Sequence, residues 1–571
     1  MVYMRRPPIA LRVGGATAIE PDDHVRGVAA ARDSTTVAVW TIVSRVTGLV
    51  KFAVIGAVLG PTFFGNTYQF TNSLPNLLYY GLLAGSLFSA LLVPALVRHI
   101  DAQDQHSSER VAGGFLGITL VLLLVVAPLA ITFGPLVLRM AALGGGSQVA
   151  EAAGQMRVGQ LLIVMFIPQI FCYGVVGTAT AVINSRQRFA LAAGAPAIES
   201  LGIMAVLGAA ALLYGTRTSL SNVPPGEIVL LGLGTTGAVA AHAATQWWGA
   251  RRAGVVLKPR PGWRDPEVRV LIRRALPSIA QAGLASLQVL VLLMVANRLP
   301  GGVIAFQIAL NFYYLAIAIG AAPVALSLIP RLSRMHLDGD VTAFRDTLMR
   351  GLAMGFLVTI PATVGYLVLA LPLARAISFG RMDSDGGVVM VAASLAALSL
   401  AVVGQTAFMI VTYACYARKD TRTPLMSMLV QTTICLGLAS TALLLQGPAM
   451  LVVLGLALSL SVAAAAVHLT AHVWRTLSPR GTQRLAPSLA RFVAAAGIMA
   501  GPAWLVAEAV PHFLGRSLGP RVGIAAAVLV GGALFLALQA LWRTPELGWL
   551  AGGLIGSHRK DHRVMAEVIN G

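Results

Sequence analysis

The amino-acid sequence predicts an all-α integral membrane protein with about fourteen transmembrane helices. Three observations carry that expectation. Of the 571 residues, 57% are hydrophobic and only 11% charged, against about 25% charged in soluble domains. The mean hydropathy of +0.78 agrees: so many apolar side chains must face lipid as well as each other. Fourteen apolar runs reach the length of about 20 residues that spans a bilayer, at 35–59, 63–97, 111–137, 151–183, 196–214, 226–249, 268–297, 302–333, 346–377, 386–416, 425–446, 448–473, 487–510 and 521–542. Finally, charge sorts to one side of these spans. With a cytoplasmic N-terminus, the cytoplasmic gaps and both tails hold about 27 Lys and Arg and the opposite gaps about seven, the asymmetry that sets orientation in membranes. Most of the net charge of +20 therefore belongs to cytoplasmic loops beside anionic lipid. No soluble basic domain is left to read nucleic acid.

The segments follow in order. Residues 1–33 hold Arg5, Arg6, Pro7, Pro8, Pro21, Asp22 and Asp23 without the apolar core of a cleaved signal peptide, and read as a disordered cytoplasmic tail. Spans one to six form an N-lobe over 34–250, and a basic cytoplasmic linker occupies 251–267. Spans seven to twelve form a C-lobe over 268–476, spans thirteen and fourteen fill 486–543, and 544–571 is a cytoplasmic C-terminal tail. Two motif pairs recur six spans apart. Pro94-Ala95-Leu96-Val97-Arg98 closes span two and Pro330-Arg331-Leu332-Ser333-Arg334 closes span eight. Asn184-Ser185-Arg186-Gln187-Arg188 follows span four and Tyr416-Ala417-Arg418-Lys419-Asp420 follows span ten. Parallel repeats of this kind are a transporter signature, with the binding site between the lobes.

Polar residues at bilayer depth locate the candidate site. Span one carries Arg45 and Lys51, cations that cost several kcal/mol unless they reach water or an anion. Snorkelling to the interface competes with cargo contact for Lys51 more than for Arg45. Span two carries Asn66, Gln69, Asn72, Ser73 and Asn76 on one helical face, interrupted by Pro75. Span seven carries Ser278, Gln281 and Gln288, and span eight carries Gln307, Asn311 and Tyr314. Each stripe alone reads first as interhelical hydrogen-bonding. Stripes on spans that the repeat pairs as counterparts point instead to a shared hydrated cavity, with Arg45, Lys51, Asn66, Asn72, Asn76, Gln281, Gln288, Gln307, Asn311 and Tyr314 as its substrate-binding residues.

Other polar groups are less telling. Glu199 is expected at an interface, and Arg157 and His242 in local pairs. His468 and His472 lack a third metal ligand, and Cys172, Cys415 and Cys435 show no ligand spacing. Asp265, Asp383, Asp385 and Asp420 lie in separate loops rather than clustered to hold magnesium, and no P-loop is present. The chain is thus expected to be a transporter without a cofactor, not an enzyme.

Ser44-Arg45-Val46-Thr47-Gly48, Leu74-Pro75-Asn76-Leu77-Leu78, Gly85-Ser86-Leu87-Phe88-Ser89 and the run to Val93-Pro94 resemble the MurJ/MviN lipid II flippase family, within the MATE-like flippase superfamily. Leu328-Ile329-Pro330-Arg331-Leu332-Ser333-Arg334 is similar to a second family segment, and Tyr416 through Arg418, Asp420, Thr423 and Pro424 to a third. The resemblance implies two lobes forming a V around a central cavity lined by spans one, two, seven and eight. It implies that cavity cations hold a pyrophosphate and that the last two spans form a groove for the polyprenyl tail. Arg45 matches a family arginine, and Lys51 stands where the family has a second. Phe52, Asn66, Ala84 and Tyr314 stand where the family carries acids, and Tyr79 and Asn311 where it carries arginines. The expected function is alternating-access transfer of an undecaprenyl-linked sugar precursor across a bacterial inner membrane. Membrane lipids and cell-envelope biosynthesis enzymes are the further expected partners. Two alternatives stay open: an exporter of another polysaccharide unit or of small amphipathic molecules, and a non-transporting envelope scaffold.

Overall fold

The computed structural model describes residues 22–83, 85–142, 149–216, 220–477 and 485–548. Among these the chain is helical throughout apart from turns and short connections. The helices are α1 (Asp22–Leu59), α2 (Phe63–Leu83), α3 (Gly85–Asp101), α4 (Gln105–Ala142), α5 (Val149–Phe166), α6 (Pro168–Ser185), α7 (Phe189–Gly194), α8 (Pro196–Tyr214) and α9 (Pro225–Arg252) in the N-terminal half. The C-terminal half holds α10 (Pro266–Ala296), α11 (Gly302–Gly320), α12 (Ala322–Leu337), α13 (Val341–Val368), α14 (Ala370–Ile377), α15 (Asp385–Ser399), α16 (Ala401–Ala417), α17 (Arg422–Thr441) and α18 (Pro448–Thr476). The last helix, α19 (Leu485–Leu541), breaks at Gly515 and packs against α13 and α14.

Every apolar run in the sequence is a helix or a pair of helices. Twelve described helices are long and apolar enough to cross a membrane, and the α15–α16 pair, bent by 40°, makes a thirteenth. The remaining run, 63–97, falls on α2 and α3, where the polar stripe of α2 dilutes its hydropathy. A count of fourteen is therefore not reached by length and composition alone. Helix α1 begins at Asp22, inside the stretch expected to be a tail, because the alanine-rich segment before Arg32 favours helix. Residues 1–21 and 549–571 of the expected tails lie outside the described residues.

The sequence repeat reappears in the packing. Helix α1 packs on α8 as α10 does on α17; α2 on α5 as α11 on α15; α3 on α6 as α12 on α16. The pairs α6–α9 and α8–α9 recur as α16–α18 and α17–α18. Backbone detail repeats as well. Gln187 and Lys419 each adopt left-handed φ, 57° and 61°, directly after Arg186 and Arg418. Non-glycine residues rarely adopt that conformation. Span ten bends by 40° at Leu400, whereas spans four and eight run on past the mid-span prolines Pro168 and Pro323, with the N–H groups of Ile167 and Ala321 bonded to the carbonyls of Ile163 and Ile317 at 2.9 Å. A proline at mid-span removes one N–H from the helical ladder and kinks the helix there. One apolar core runs through both halves, and a second joins α12, α13, α16, α18 and α19.

Candidate functional site

The two halves are sealed to each other at the end that holds the α1–α2 turn. Asn66 is fully buried there. Its Nδ2 donates to the Leu299 carbonyl at 2.8 Å, and its Oδ1 accepts from the Val303 N–H at 3.1 Å, so α2 is tied to the α10–α11 turn. Asn297 answers from the other side, its Nδ2 donating to the Ala141 carbonyl at 3.2 Å. Arg381, before α15, donates to the carbonyls of Leu59, at 3.2 Å, and Thr216. The turns themselves meet through main chain: a Cβ on Gly301, whose φ is +80°, would lie 2.4 Å from the Pro61 Cα. Only glycine fits that conformation and that approach. Farther along, Gln307 Nε2 donates across the halves to Ser73 Oγ at 3.0 Å, and Gln69 Nε2 donates to the same oxygen at 3.1 Å. Asn311 Nδ2 donates to the Gln307 carbonyl at 2.8 Å.

Beyond this seal, α1, α2 and α11 carry exposed polar side chains within electrostatic range of one another. Arg45 is exposed, and its guanidinium lies within Coulombic range of both Tyr80 on α2 and Tyr314 on α11. The two tyrosines are 50% and 45% exposed, although each stands on a helix of the central packing. A cation flanked by phenols from both halves can hold an anion while the hydroxyls donate to it. Tyr314 also borders a cavity of about 260 Å³ in the C-terminal half. Its polar lining includes Ser278, Gln281, Gln288, Gln405, Tyr416 and Gln431, none of them charged. Gln281 Oε1 accepts from the Tyr416 hydroxyl at 2.6 Å. Buried Gln288 donates to Thr432 Oγ1 at 2.7 Å and accepts from Gln431 Nε2 at 3.0 Å, which ties α10 to α17. A larger cavity, of about 480 Å³, lies among α2, α4, α5 and α10 and is walled by residues such as Leu74, Leu78, Phe133 and Leu290. That wall suits hydrocarbon and offers little to a polar headgroup.

Lys51 belongs to a different cluster. It is half-buried, with its Nζ 4.9 Å from the Phe52 ring centroid, and lies within Coulombic range of Glu199 on α8. The Glu199 carboxylate accepts from His242 Nδ1 at 3.0 Å and from the Tyr173 hydroxyl at 3.2 Å. Tyr173 stacks on Tyr79 at 5.7 Å, Tyr79 meets Tyr80 edge-on at 5.3 Å, and Asn76 reaches the Tyr173 hydroxyl. The structure therefore groups the sequence-predicted residues rather than pooling them. Arg45 lies within Coulombic range of Tyr314. Gln281, Gln288 and Tyr314 border the C-terminal cavity. Gln307 joins α11 to α2, Asn311 donates back to the Gln307 carbonyl within α11, Asn76 and Lys51 reach the Glu199 cluster, and Asn66 is spent on the seal. Asn72 is half-buried on the same helix.

Sequence reasoning missed Tyr80 and placed Glu199 at an interface, whereas Glu199, its side chain only 13% exposed, is the local partner expected for His242. The available signal was the occurrence of an acid and a histidine in two consecutive apolar spans, since ionisable residues at that depth need partners. Arg157 does pair locally, donating to the Ser221 carbonyl at 3.5 Å.

Comparison with known proteins points one way. A family model described as lipid II flippase MurJ matches residues 55–522. A probable lipid II flippase MurJ of Vibrio cholerae is 26% identical over 403 residues, 68% of this chain and 73% of the relative. One from Haemophilus influenzae is 26% identical over 399 residues, 67% and 75% of the two chains. The solved structure of lipid II flippase MurJ in an inward closed conformation superposes with a TM-score of 0.69 at 15% identity, over 89% of this chain and 98% of that one. An inward-facing multidrug resistance MATE family transporter of the MOP superfamily superposes with a TM-score of 0.57 at 14% identity, over 76% and 94%. At such identities the two structural matches show the shared fold.

Proposed function

The chain belongs to the lipid II flippase MurJ family, and from that premise we propose that it carries an undecaprenyl-linked sugar precursor, lipid II or a close relative, from the inner to the outer leaflet by alternating access. It is a multi-pass protein of the inner membrane. The observation that carries the reading is Arg45, an exposed cation on α1 within Coulombic range of Tyr80 in one half and Tyr314 in the other. A sugar–phosphate headgroup cannot cross hydrocarbon because its hydroxyls and phosphates would lose their hydrogen bonds. The guanidinium, the phenols and the amides of α2, α10 and α11 replace that hydration.

With both termini cytoplasmic, as the loop charges favour, the sealed end is the outer one and the headgroup enters from the inside. Release outward then requires the Asn66, Asn297 and Arg381 contacts to part. Each such bond contributes about 1 kcal/mol net, so a few of them make a closure that rocking of the halves can undo. An inside-negative potential favours outward passage of an anion by about 2.3 kcal/mol per charge per 100 mV.

The test is transfer of fluorescent lipid II by purified protein in proteoliposomes. Arg45→Ala should slow transfer at least about tenfold, the equivalent of about 1.4 kcal/mol, and Arg45→Lys should retain part of it. Transfer by Arg45→Ala at the wild-type rate would overturn the reading.

A further inference from the structure

The Glu199–His242 pair does not belong to the seal between the halves, and no cargo contact explains it. It sits among α1, α2, α6, α8 and α9, with side chains only 13% and 5% exposed. His242 Nδ1 is committed to the Glu199 carboxylate at 3.0 Å, while its Nε2 is buried and meets no hydrogen-bond partner among the described residues. A buried imidazole with one committed and one free nitrogen, hydrogen-bonded to a carboxylate, has an open position for a proton. The charged and titratable groups that face the pair come from every side. Lys51 approaches from α1, Tyr80 from α2, and Cys172 and Tyr173 from α6. The short α7, packed against α8, contributes none.

We propose that Glu199 and His242 form a proton-binding site in the N-terminal half whose occupancy is linked to anion binding at Lys51 and Arg45. The ligand is one proton, taken from water onto His242 Nε2. Glu199–His then becomes a carboxylate–imidazolium pair without net charge, and nothing is oxidised or transferred besides that proton. The link is electrostatic. Lys51 lies within Coulombic range of Glu199 and, beside the His242 hydrogen bond, favours its carboxylate form. An anionic headgroup that engages Lys51 cancels this cation, and the pair then favours the proton. Tyr80 lies within Coulombic range of both Arg45 and Glu199, so the two sites share one electrostatic field rather than acting at a distance. This inference rests on the reading of Arg45 and Lys51 as cargo contacts, and its test separates the two.

The test has two arms. In weakly buffered detergent solution near neutral pH, farnesyl pyrophosphate is titrated into purified protein while a pH indicator reports protons. Wild type should take up close to one proton per bound ligand, with affinity weakening up to about tenfold per pH unit as pH rises. Glu199→Gln and His242→Gln should bind without that uptake. In the second arm no ligand is present. The histidine ring ¹⁵N signals are compared between wild type and Lys51→Met, with His242 identified by its disappearance in His242→Gln. Lys51→Met should move the His242 signals toward imidazolium. Binding without proton uptake, uptake undiminished in both variants, or His242 signals unmoved by Lys51→Met would overturn the proton site. Absence of farnesyl pyrophosphate binding alongside shifted His242 signals would instead count against Arg45 and Lys51 as cargo contacts and leave the proton site standing.

Discussion

Two regions of the molecule solve one packing problem with different chemistry. In the N-terminal half, α8 and α9 meet through Glu199 and His242, 3.0 Å apart. In the C-terminal half, the equivalent pair α17 and α18 meets through Ser427 and His468, 2.9 Å apart. Glu199 and Ser427 each stand three residues after a proline, Pro196 and Pro424, so they occupy the same turn of corresponding helices. The neighbouring helices differ in step. Where α1 brings Lys51 toward α8, α10 brings Gln288 toward α17, and that amide is met by Gln431 and Thr432. Each half is consistent within itself, charge answering charge in one and amide answering amide in the other. The scaffold fixes where a polar contact falls between helices, and the pair on the facing helices decides whether it carries charge.

The sharpest way to break this comparison is to make one half resemble the other by a single step. Glu199→Ser should cost about 2 kcal/mol, less than the 3–5 of a fully buried pair because Lys51 is half-buried. The loss should show as a lowered unfolding midpoint in detergent, and adding Lys51→Gln should restore most of it. Failure of the double variant to recover would mean that Glu199 supports the helices by shape rather than by charge. The corresponding change, Ser427→Ala, should cost about 1 kcal/mol, since it removes a neutral hydroxyl, bonded to His468 and to the Thr423 carbonyl at 3.0 Å, and strands no carboxylate or ammonium. Equal losses in the two halves would erase the distinction.

A smaller effect sharpens it at the helix ends. Asp420 accepts from the Thr423 hydroxyl at 2.6 Å and from the N–H groups of Thr423 and Arg422, both at 3.1 Å, at the start of α17. Burial works to raise this carboxyl, but those hydrogen bonds and the nearby His472 outweigh it and hold Asp420 below the usual carboxylate range. A depressed carboxylate stabilises above its unfolded value of about 3.9, and that contribution is lost as pH falls through the lower folded value. Asp420→Ala should therefore cost under about 1 kcal/mol near neutral pH and nothing once pH falls well below 4. The matching turn of the N-terminal half carries Arg188, which donates to the Arg252 carbonyl at 3.2 Å, so no such pH dependence is expected there.

The architecture was legible because span length and loop charge are local quantities. All fourteen apolar runs became helices, and the turns at Arg186 and Arg418 proved alike down to the left-handed residue that follows each. The 40° bend at Leu400 was less visible, because no proline marks it in the apolar run 386–416. Site chemistry was harder for a different reason. Glu199 and His242 are 43 positions apart, and their meeting depends on how two helices are rotated against each other. Asn66 looked like a member of a cavity stripe, since it shares a face with Asn72 and Asn76. Its position near the end of α2 instead brings it to the carbonyl of Leu299.

The contact of Gly301 with Pro61 has a consequence for turnover. A joint made from backbone has no rotamers to reset, so its re-formation orders few side chains and loses little of their entropy. Successive cycles can return the two turns to the same register without a search, and the time spent closing is then governed by the swing of the lobes themselves.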